Sequence, residues 1–452
     1  MTQRVEANSS GDLIKRSHPK GLPVLFLTEM WERFSFYSMR AIFALYMITP
    51  KAQGGLGFSG ESTSSIYGWY VGLVYFTPFF GGWLADRYLG IKKSVTIGGI
   101  LFIIGHLLLA FRPLPFFFAG LGFLMLGNGF FKPNISTMLG NLYRKVPERR
   151  DDGYNIFYMG INLGAFLSPL VAGYLRIAYG WHYGFGAAAV GMVCSMIIFW
   201  TLQKQVVEGD ILPLTKRLKE AKSAGTVVDK GDPKKNRQRN MALMFIFFIV
   251  IFFWMAFEQQ GLTLTFWAQQ ATDTAIAPEM FQSVNPMYIL LLTFPLVYFW
   301  GLLRAVGKEP STAGKMFIGM LLSVAAFTLL AFASLAGGNV GHVSVAWLLG
   351  AYALLTLGEL CLSPMGLSLV SKLAPKHLLG MMMGGWFVAS GIGGKMSGWI
   401  GQLWFKESIS HSTFFFIIAG ILGIIALVLL ALLGWLNPII RDAEKEAEEQ
   451  AS

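Results

Sequence analysis

Twelve stretches of predominantly apolar residues follow one another along this 452-residue chain. They lie at about 22–48, 63–86, 93–111, 115–140, 154–178, 184–202, 241–271, 281–304, 312–336, 345–370, 378–404 and 411–437. A helix needs roughly 20 such residues to cross about 30 Å of hydrocarbon. In lipid, its backbone polar groups must be satisfied internally. The chain is therefore expected to be an all-α integral membrane protein with 12 transmembrane helices. Only 13% of residues are charged, against about 25% in soluble domains. This excludes a soluble enzyme, a disordered chain and a single-span receptor. The first segment is not read as a cleavable signal, because Glu29, Glu32, Arg33 and Arg40 interrupt it. Cys194 and Cys361 both lie in apolar runs, so neither a disulfide framework nor a metal site is expected, and no cofactor is called for.

The net charge of +11 is not read as a nucleic-acid signal, because the basic residues alternate between connections. Arg4, Lys15, Arg16 and Lys20 precede the first segment. Arg87, Lys92 and Lys93 fall in the second connection; Arg144, Lys145, Arg149 and Arg150 in the fourth. Arg304, Lys308 and Lys315 fall around the eighth, and Lys372 and Lys376 in the tenth. Odd-numbered connections hold few, such as Lys51, Arg112 and Lys406. By the positive-inside rule both termini are cytoplasmic. A bacterial inner (cell) membrane is the expected location, with the lipid bilayer as partner and a monomer as the expected state.

The sixth connection is long, polar and basic, with Lys216, Arg217, Lys219, Lys222, Lys234, Lys235, Arg237 and Arg239. It divides the chain into six segments plus six. The organisation expected is a cytoplasmic tail over 1–21, a six-helix bundle over 22–202, a cytoplasmic linker over 203–240, a second bundle over 241–437 and an acidic cytoplasmic tail over 438–452. Gly81-Gly82-Trp83-Leu84-Ala85-Asp86-Arg87, followed by Gly90, Lys92 and Lys93, is weakly echoed by Gly301, Arg304, Gly307 and Lys308. Two related six-helix halves are the architecture of the major facilitator fold, with a substrate site near the midplane between them.

A charge at the bilayer centre costs on the order of 2.5–3.5 kcal/mol even on a lenient scale. Yet Glu29, Glu32, Arg33 and Arg40 lie in the first segment, Lys132 in the fourth, Glu258 in the seventh, Glu359 in the tenth and Lys395 in the eleventh. Ion pairs that merely hold helices together would gain little, since desolvation offsets their attraction. A substrate or proton pathway is the stronger reading. Glu29, Glu32, Arg33, Phe36, Tyr37 and Arg40 follow spacings of three, four and seven and share a helical face. Carboxylates and guanidiniums so close shift one another's proton affinity, which suits proton coupling. Lys132, in Gly127-Asn128-Gly129-Phe130-Phe131-Lys132-Pro133-Asn134, and Glu359, in Gly358-Glu359-Leu360-Cys361-Leu362-Ser363-Pro364, occupy comparable settings in opposite halves. Facing a common cavity, they could pair or engage the ends of a ligand.

These residues carry a resemblance. Glu29-Met30-Trp31-Glu32-Arg33-Phe34 resembles the E-x-x-E-R-F/Y motif of the proton-dependent oligopeptide transporter family. Phe157 through Gly164 resembles its F-Y-x-x-I-N-x-G signature, and Gly358 through Gly366 its G-E-x-x-x-S-P-x-G segment. Gln282-Ser283-Val284-Asn285-Pro286 and Met383-Gly384-Gly385-Trp386-Phe387 fit it too. The resemblance implies import of di- and tripeptides with protons by alternating access. It implies that Arg40 and Lys132 contact the peptide carboxylate and that Glu359 faces the amine. Tyr37, Tyr75, Asn162 and Asn285 would contact the backbone or termini. Trp254, Trp386 and Ser390 would line side-chain pockets. Glu29, Glu32 and Arg33 would serve proton coupling, and Glu258 would pair with Arg40 in a gate.

Two departures matter. Animal members carry a histidine beside the helix 2 tyrosine, whereas Gly68 follows Tyr67 here, and His106 reads as a packed helix residue. Many prokaryotic members insert two further helices between the halves; the 203–240 connection is too polar for that. The alternatives are a relative moving another solute, a membrane enzyme, a channel and a sensor. No nucleotide loop, zinc-protease motif or hydrolase elbow is present. Scattered charges of both signs suit an occluding site better than a selectivity ring.

Overall fold

The computed structural model describes residues 17–146, 149–210, 233–374 and 379–449. The charges expected at Arg4, Lys15, Arg16, Lys216, Arg217, Lys219, Lys222 and Lys376 lie outside the described residues. Twelve long helices dominate: α1 (Gly21–Ile48), α2 (Gly60–Leu84), α3 (Ile91–Leu109), α4 (Leu114–Leu142), α5 (Arg150–Tyr179), α6 (Trp181–Thr201), α7 (Pro233–Phe257), α8 (Val284–Ala305), α9 (Thr312–Ala336), α10 (Ala346–Leu373), α11 (Leu379–Gly401) and α12 (His411–Glu449). The only described strands are β1 (Thr272–Asp273) and β2 (Val343–Ser344), a parallel pair joining two connections on one side of the molecule.

Among the described residues, nine helices are long and apolar enough to cross a membrane by composition alone. The other three, α1, α2 and α11, have the length but carry the polar positions. Glu29, Glu32, Arg33 and Arg40 sit in α1, several Gly, Ser and Tyr in α2, and Lys395 in α11. Large apolar side chains such as Val190, Phe294, Val297, Ile424 and Leu427 are exposed on the outside, as a lipid-facing surface requires.

In the first half α1 packs on α5 and α6, α3 on α4 and α6, and α2 on α4. In the second, α9 packs on α10 and α12, α7 on α11 and α12, and α8 on α10. The halves meet chiefly where α2 crosses α11 and α5 meets α8. Small residues make the first crossing possible, since helix association in lipid rests on close backbone packing. A Cβ on Gly398 would lie 2.2 Å from the Ser64 carbonyl oxygen and 2.5 Å from the Gly68 Cα. Gly398→Val should therefore force α2 and α11 apart at a cost of about 1–3 kcal/mol. The check is the melting temperature of the purified protein in detergent; an unchanged value would mean that the crossing tolerates the added bulk.

The seventh apolar segment, expected as one continuous helix over 241–271, is broken. α7 ends at Phe257, a 3₁₀ turn spans Glu258–Gly261, and a short helix follows at Thr263–Ala271. Broken helices persist at membrane depth only where neighbours satisfy the freed backbone. Here the Tyr67 hydroxyl donates to the Glu258 carbonyl at 3.3 Å, and Gln259 Nε2 donates to the carbonyls of Met255 and Ser397 at 3.2 and 3.0 Å. α7 also begins at Pro233, earlier than its apolar stretch. The added turns are held by ion pairs of Lys235 and Arg239 with Glu446 of α12, at 2.7 and 2.6 Å. In the α8–α9 connection, Arg304 and Lys315 both donate to Glu309 and hold its carboxyl down to about 2.

Candidate functional site

A cavity of about 130 Å³ lies between the halves, lined from α1, α2, α5, α7, α8 and α10. Helical spacing builds each wall. Tyr37 and Arg40 are three apart on α1. Tyr158, Ile161, Asn162 and Ala165 follow the spacing of one α5 face. Gln282, Asn285, Pro286 and Ile289 do the same where a 3₁₀ turn runs into α8. Tyr75 enters from α2, Trp254 and Phe257 from α7, Gln260 from its break, and Glu359 from α10.

Opposite charges stand on opposite walls. Arg40 is buried and ion-paired with the fully buried Glu258. The pair is braced by Tyr67, whose hydroxyl accepts from Arg40 Nε and Nη2 at 3.4 and 3.3 Å. The Tyr75 hydroxyl donates to Glu258 Oε1 at 3.5 Å. The Arg40 guanidinium lies 5.9 Å from the centre of the Tyr37 ring, within cation–π range. Across the cavity, Glu359 Oε2 accepts from Asn285 Nδ2 at 2.9 Å, and the same amide donates to Thr356 at 3.0 Å. The Arg40–Glu258 pair joins α1 to the 3₁₀ turn after α7 and so ties one half to the other.

Seven of the ten residues expected at the peptide site line this cavity: Tyr37, Arg40, Tyr75, Asn162, Trp254, Asn285 and Glu359. Three do not. Lys132 stands behind Tyr75, its ammonium 4.9 Å from the ring centre. It makes no ion pair with Glu359, whose carboxylate is engaged by Asn285. Trp386 and Ser390 are buried in the packing of α11. The Trp386 ring fills the space left by Gly366 of α10, and Ser390 donates to the Trp386 carbonyl at 3.0 Å.

The remaining acids of α1 form a separate buried cluster. Arg33 donates to both carboxylate oxygens of Glu32, with Nη2 to Oε1 at 2.6 Å. It also pairs with Glu29 at 3.3 Å across one turn. Oε2 of Glu29 is buried and unpartnered. None of the three lines the cavity. His106 is buried and stacked on Phe102, with ring planes 7° apart. The expected packed histidine is what is found.

Tyr158, Phe257, Gln260 and Gln282 line the cavity although sequence reasoning gave them no role there. A signal existed for three of them. Tyr158 lies four residues before Asn162, Phe257 three after Trp254, and Gln282 three before Asn285. Gln260 had none, because its position depends on the break in the seventh segment.

The POT family model matches residues 92–212 and 200–417. The chain belongs to the POT family. It is 35% identical to the peptide transporter YePEPT of Yersinia enterocolitica over 88% of this chain and 90% of that protein. It is 32% identical to the di-/tripeptide transporter of Lactococcus lactis subsp. cremoris over 94% of this chain and 96% of that one. A mutant of a peptide transporter POT, solved in complex with alafosfalin, superposes with a TM-score of 0.84 at 33% identity, covering 93% of this chain and 96% of that one. The major facilitator architecture expected from the two halves is thus the architecture of this POT family protein.

Proposed function

We propose that this POT family protein is a proton-coupled symporter that imports di- and tripeptides by alternating access of its two halves. One observation carries the reading: a buried cavity between the halves has a guanidinium on one wall and a carboxylate on the other. A zwitterionic peptide has fixed end charges and a variable middle. Arg40 suits the carboxylate end, because a guanidinium binds carboxylates through two parallel bonds. Glu359 and Asn285 suit the amine. Tyr37, Tyr75 and Asn162 offer donors and acceptors to a backbone that has lost water. Trp254 offers a face that accepts varied side chains.

Lys132 contributes a movable charge that reaches the cavity when Tyr75 shifts. Trp386 and Ser390 reach substrate only when α10 and α11 part. Glu29, Glu32, Arg33 and Glu258 carry the proton-linked change, since burial and pairing make their charge state depend on whether Arg33 and Arg40 keep their partners. The molecule works as a monomer of two six-helix bundles, 22–202 and 241–437, with the 203–240 linker and both termini cytoplasmic in a bacterial inner membrane. The scarcity of basic residues in the odd-numbered connections supports that orientation.

The test is uptake of radiolabelled dialanine into sealed proteoliposomes, with and without an inward proton gradient. Accumulation above equilibrium only with the gradient is expected. Uptake of a non-peptide solute that dialanine does not inhibit would turn the reading to another substrate.

A further inference from the structure

The connections poor in basic residues bring two cations together at one end of the bundle. Lys51 follows α1 and Arg112 joins α3 to α4, and both line a cavity of about 700 Å³ walled by the start of α6. Among the described residues neither forms an ion pair, and no Asp or Glu lines this cavity. It adjoins, at His182 and Tyr183, which line both, a groove of about 670 Å³ between α5 and α6, floored by α1.

The groove differs in kind from its mouth. Met30, Trp31, Phe34, Leu167, Val171 and Val190 line it, and its small residues keep it open: a Cβ on Gly186 would meet nothing within 4 Å. Along α5 it runs from Gly164 to Leu175, roughly 16 Å at the helical rise of about 1.5 Å per residue. That is about half of a ~30 Å hydrocarbon core, the depth of one leaflet. At the junction, His182 keeps its Nδ1 buried without a hydrogen-bond partner. Exposed Tyr179 and Tyr183 flank the mouth, where aromatic rings mark the membrane interface.

We propose that this composite is a binding site for one anionic phospholipid. The acyl chain lies in the α5–α6 groove, the phosphate sits between Lys51 and Arg112, and the half-buried His182 ring meets the polar glycerol region. Cationic mouth, polar junction and apolar groove of one leaflet's depth match the order of groups along such a lipid. A peptide suits it poorly, since the groove's lining is almost wholly apolar and leaves a backbone short of partners. The chain would rest against Met30 and Trp31, on the segment of α1 that carries Glu29, Glu32 and Arg33. Lipid occupancy would therefore bear directly on that helix.

The test is native mass spectrometry of the detergent-purified transporter given equal phosphatidylglycerol and phosphatidylcholine. The wild-type protein should retain phosphatidylglycerol with a preference of about thirtyfold, the scale of two basic residues at a membrane surface. The Lys51→Ala, Arg112→Ala double variant should lose the preference while eluting as a folded monomer. Gly186→Leu, which builds into open space, should lower retention of both lipids. Equal preference in the wild type and the double variant would overturn the site. So would displacement of phosphatidylglycerol by glycerol phosphate alone, because the groove would then contribute nothing. Unaltered retention in Gly186→Leu would overturn the placement of the chain.

Discussion

Glu32→Gln is expected to reduce proton-driven accumulation of dialanine to the level seen without a gradient, while peptide exchange across the same membrane continues. Glu32 holds Arg33 through both carboxylate oxygens, fully buried and outside the peptide cavity. A glutamine keeps the shape and can still accept one hydrogen bond, but it cannot gain or lose a proton. Arg33 would keep one neutral hydrogen bond to that amide and, as its sole remaining ion pair, the longer contact to Glu29 at 3.3 Å. Coupling needs a charge that changes; exchange needs only a cavity that binds and reorients. Deleting one partner of a buried pair outright costs about 3–5 kcal/mol, which is why the isosteric amide is the informative change. Counterflow of labelled against unlabelled dialanine separates the two functions. Equal gradient-driven accumulation in variant and parent would remove Glu32 from the coupling mechanism.

Glu258→Gln should loosen the tie between the halves as well as weaken coupling. The carboxylate receives Arg40 from α1 and Tyr75 from α2, while the Glu258 backbone carbonyl receives Tyr67. All of these contacts cross from the first half to the break after α7. Replacing a charge-assisted hydrogen bond by a neutral one loses about 1–2 kcal/mol. That is about a five- to thirtyfold change in the ratio of conformations closed and open at this end. Spin labels on the 49–59 and 406–410 connections, one in each half, would report it as growth of the longer-distance population. A distance distribution identical to the parent's would mean that the other contacts between the halves, among them the α2–α11 crossing and the Arg176–Glu279 ion pair, keep this end closed.

Much of the architecture was legible from the chain. Apolar length against bilayer thickness found the twelve long helices, because spanning is a local property that each segment satisfies alone. The cost of an intramembrane charge singled out Glu29, Glu32, Arg33, Arg40, Lys132, Glu258, Glu359 and Lys395, and the structure buries or half-buries every one of them. Helical spacing also foreshadowed which α1 residues act together. It would have yielded Tyr158, Phe257 and Gln282 had it been applied outward from Asn162, Trp254 and Asn285.

Other features were not legible. The break at Glu258–Gly261 interrupts a run that reads as continuous, and it is held by partners from elsewhere in the fold: Tyr67 of α2 donates to it, and Ser397 of α11 accepts from its Gln259. Lys132 and Glu359 look like natural partners in the chain, yet one rests on Tyr75 and the other on Asn285. Trp386 and Ser390 look like pocket residues, yet they turn into the packing between helices. Apolar length against hydrocarbon thickness locates the twelve long helices and shows which of them carry charge. Lipid is as apolar as the side chains it touches, so it does not dictate how each helix is rotated about its axis. That rotation comes from glycine-mediated contacts such as Ser64–Gly398 and from buried pairs such as Arg40–Glu258, formed by residues hundreds of positions apart, and only the packed bundle brings them together.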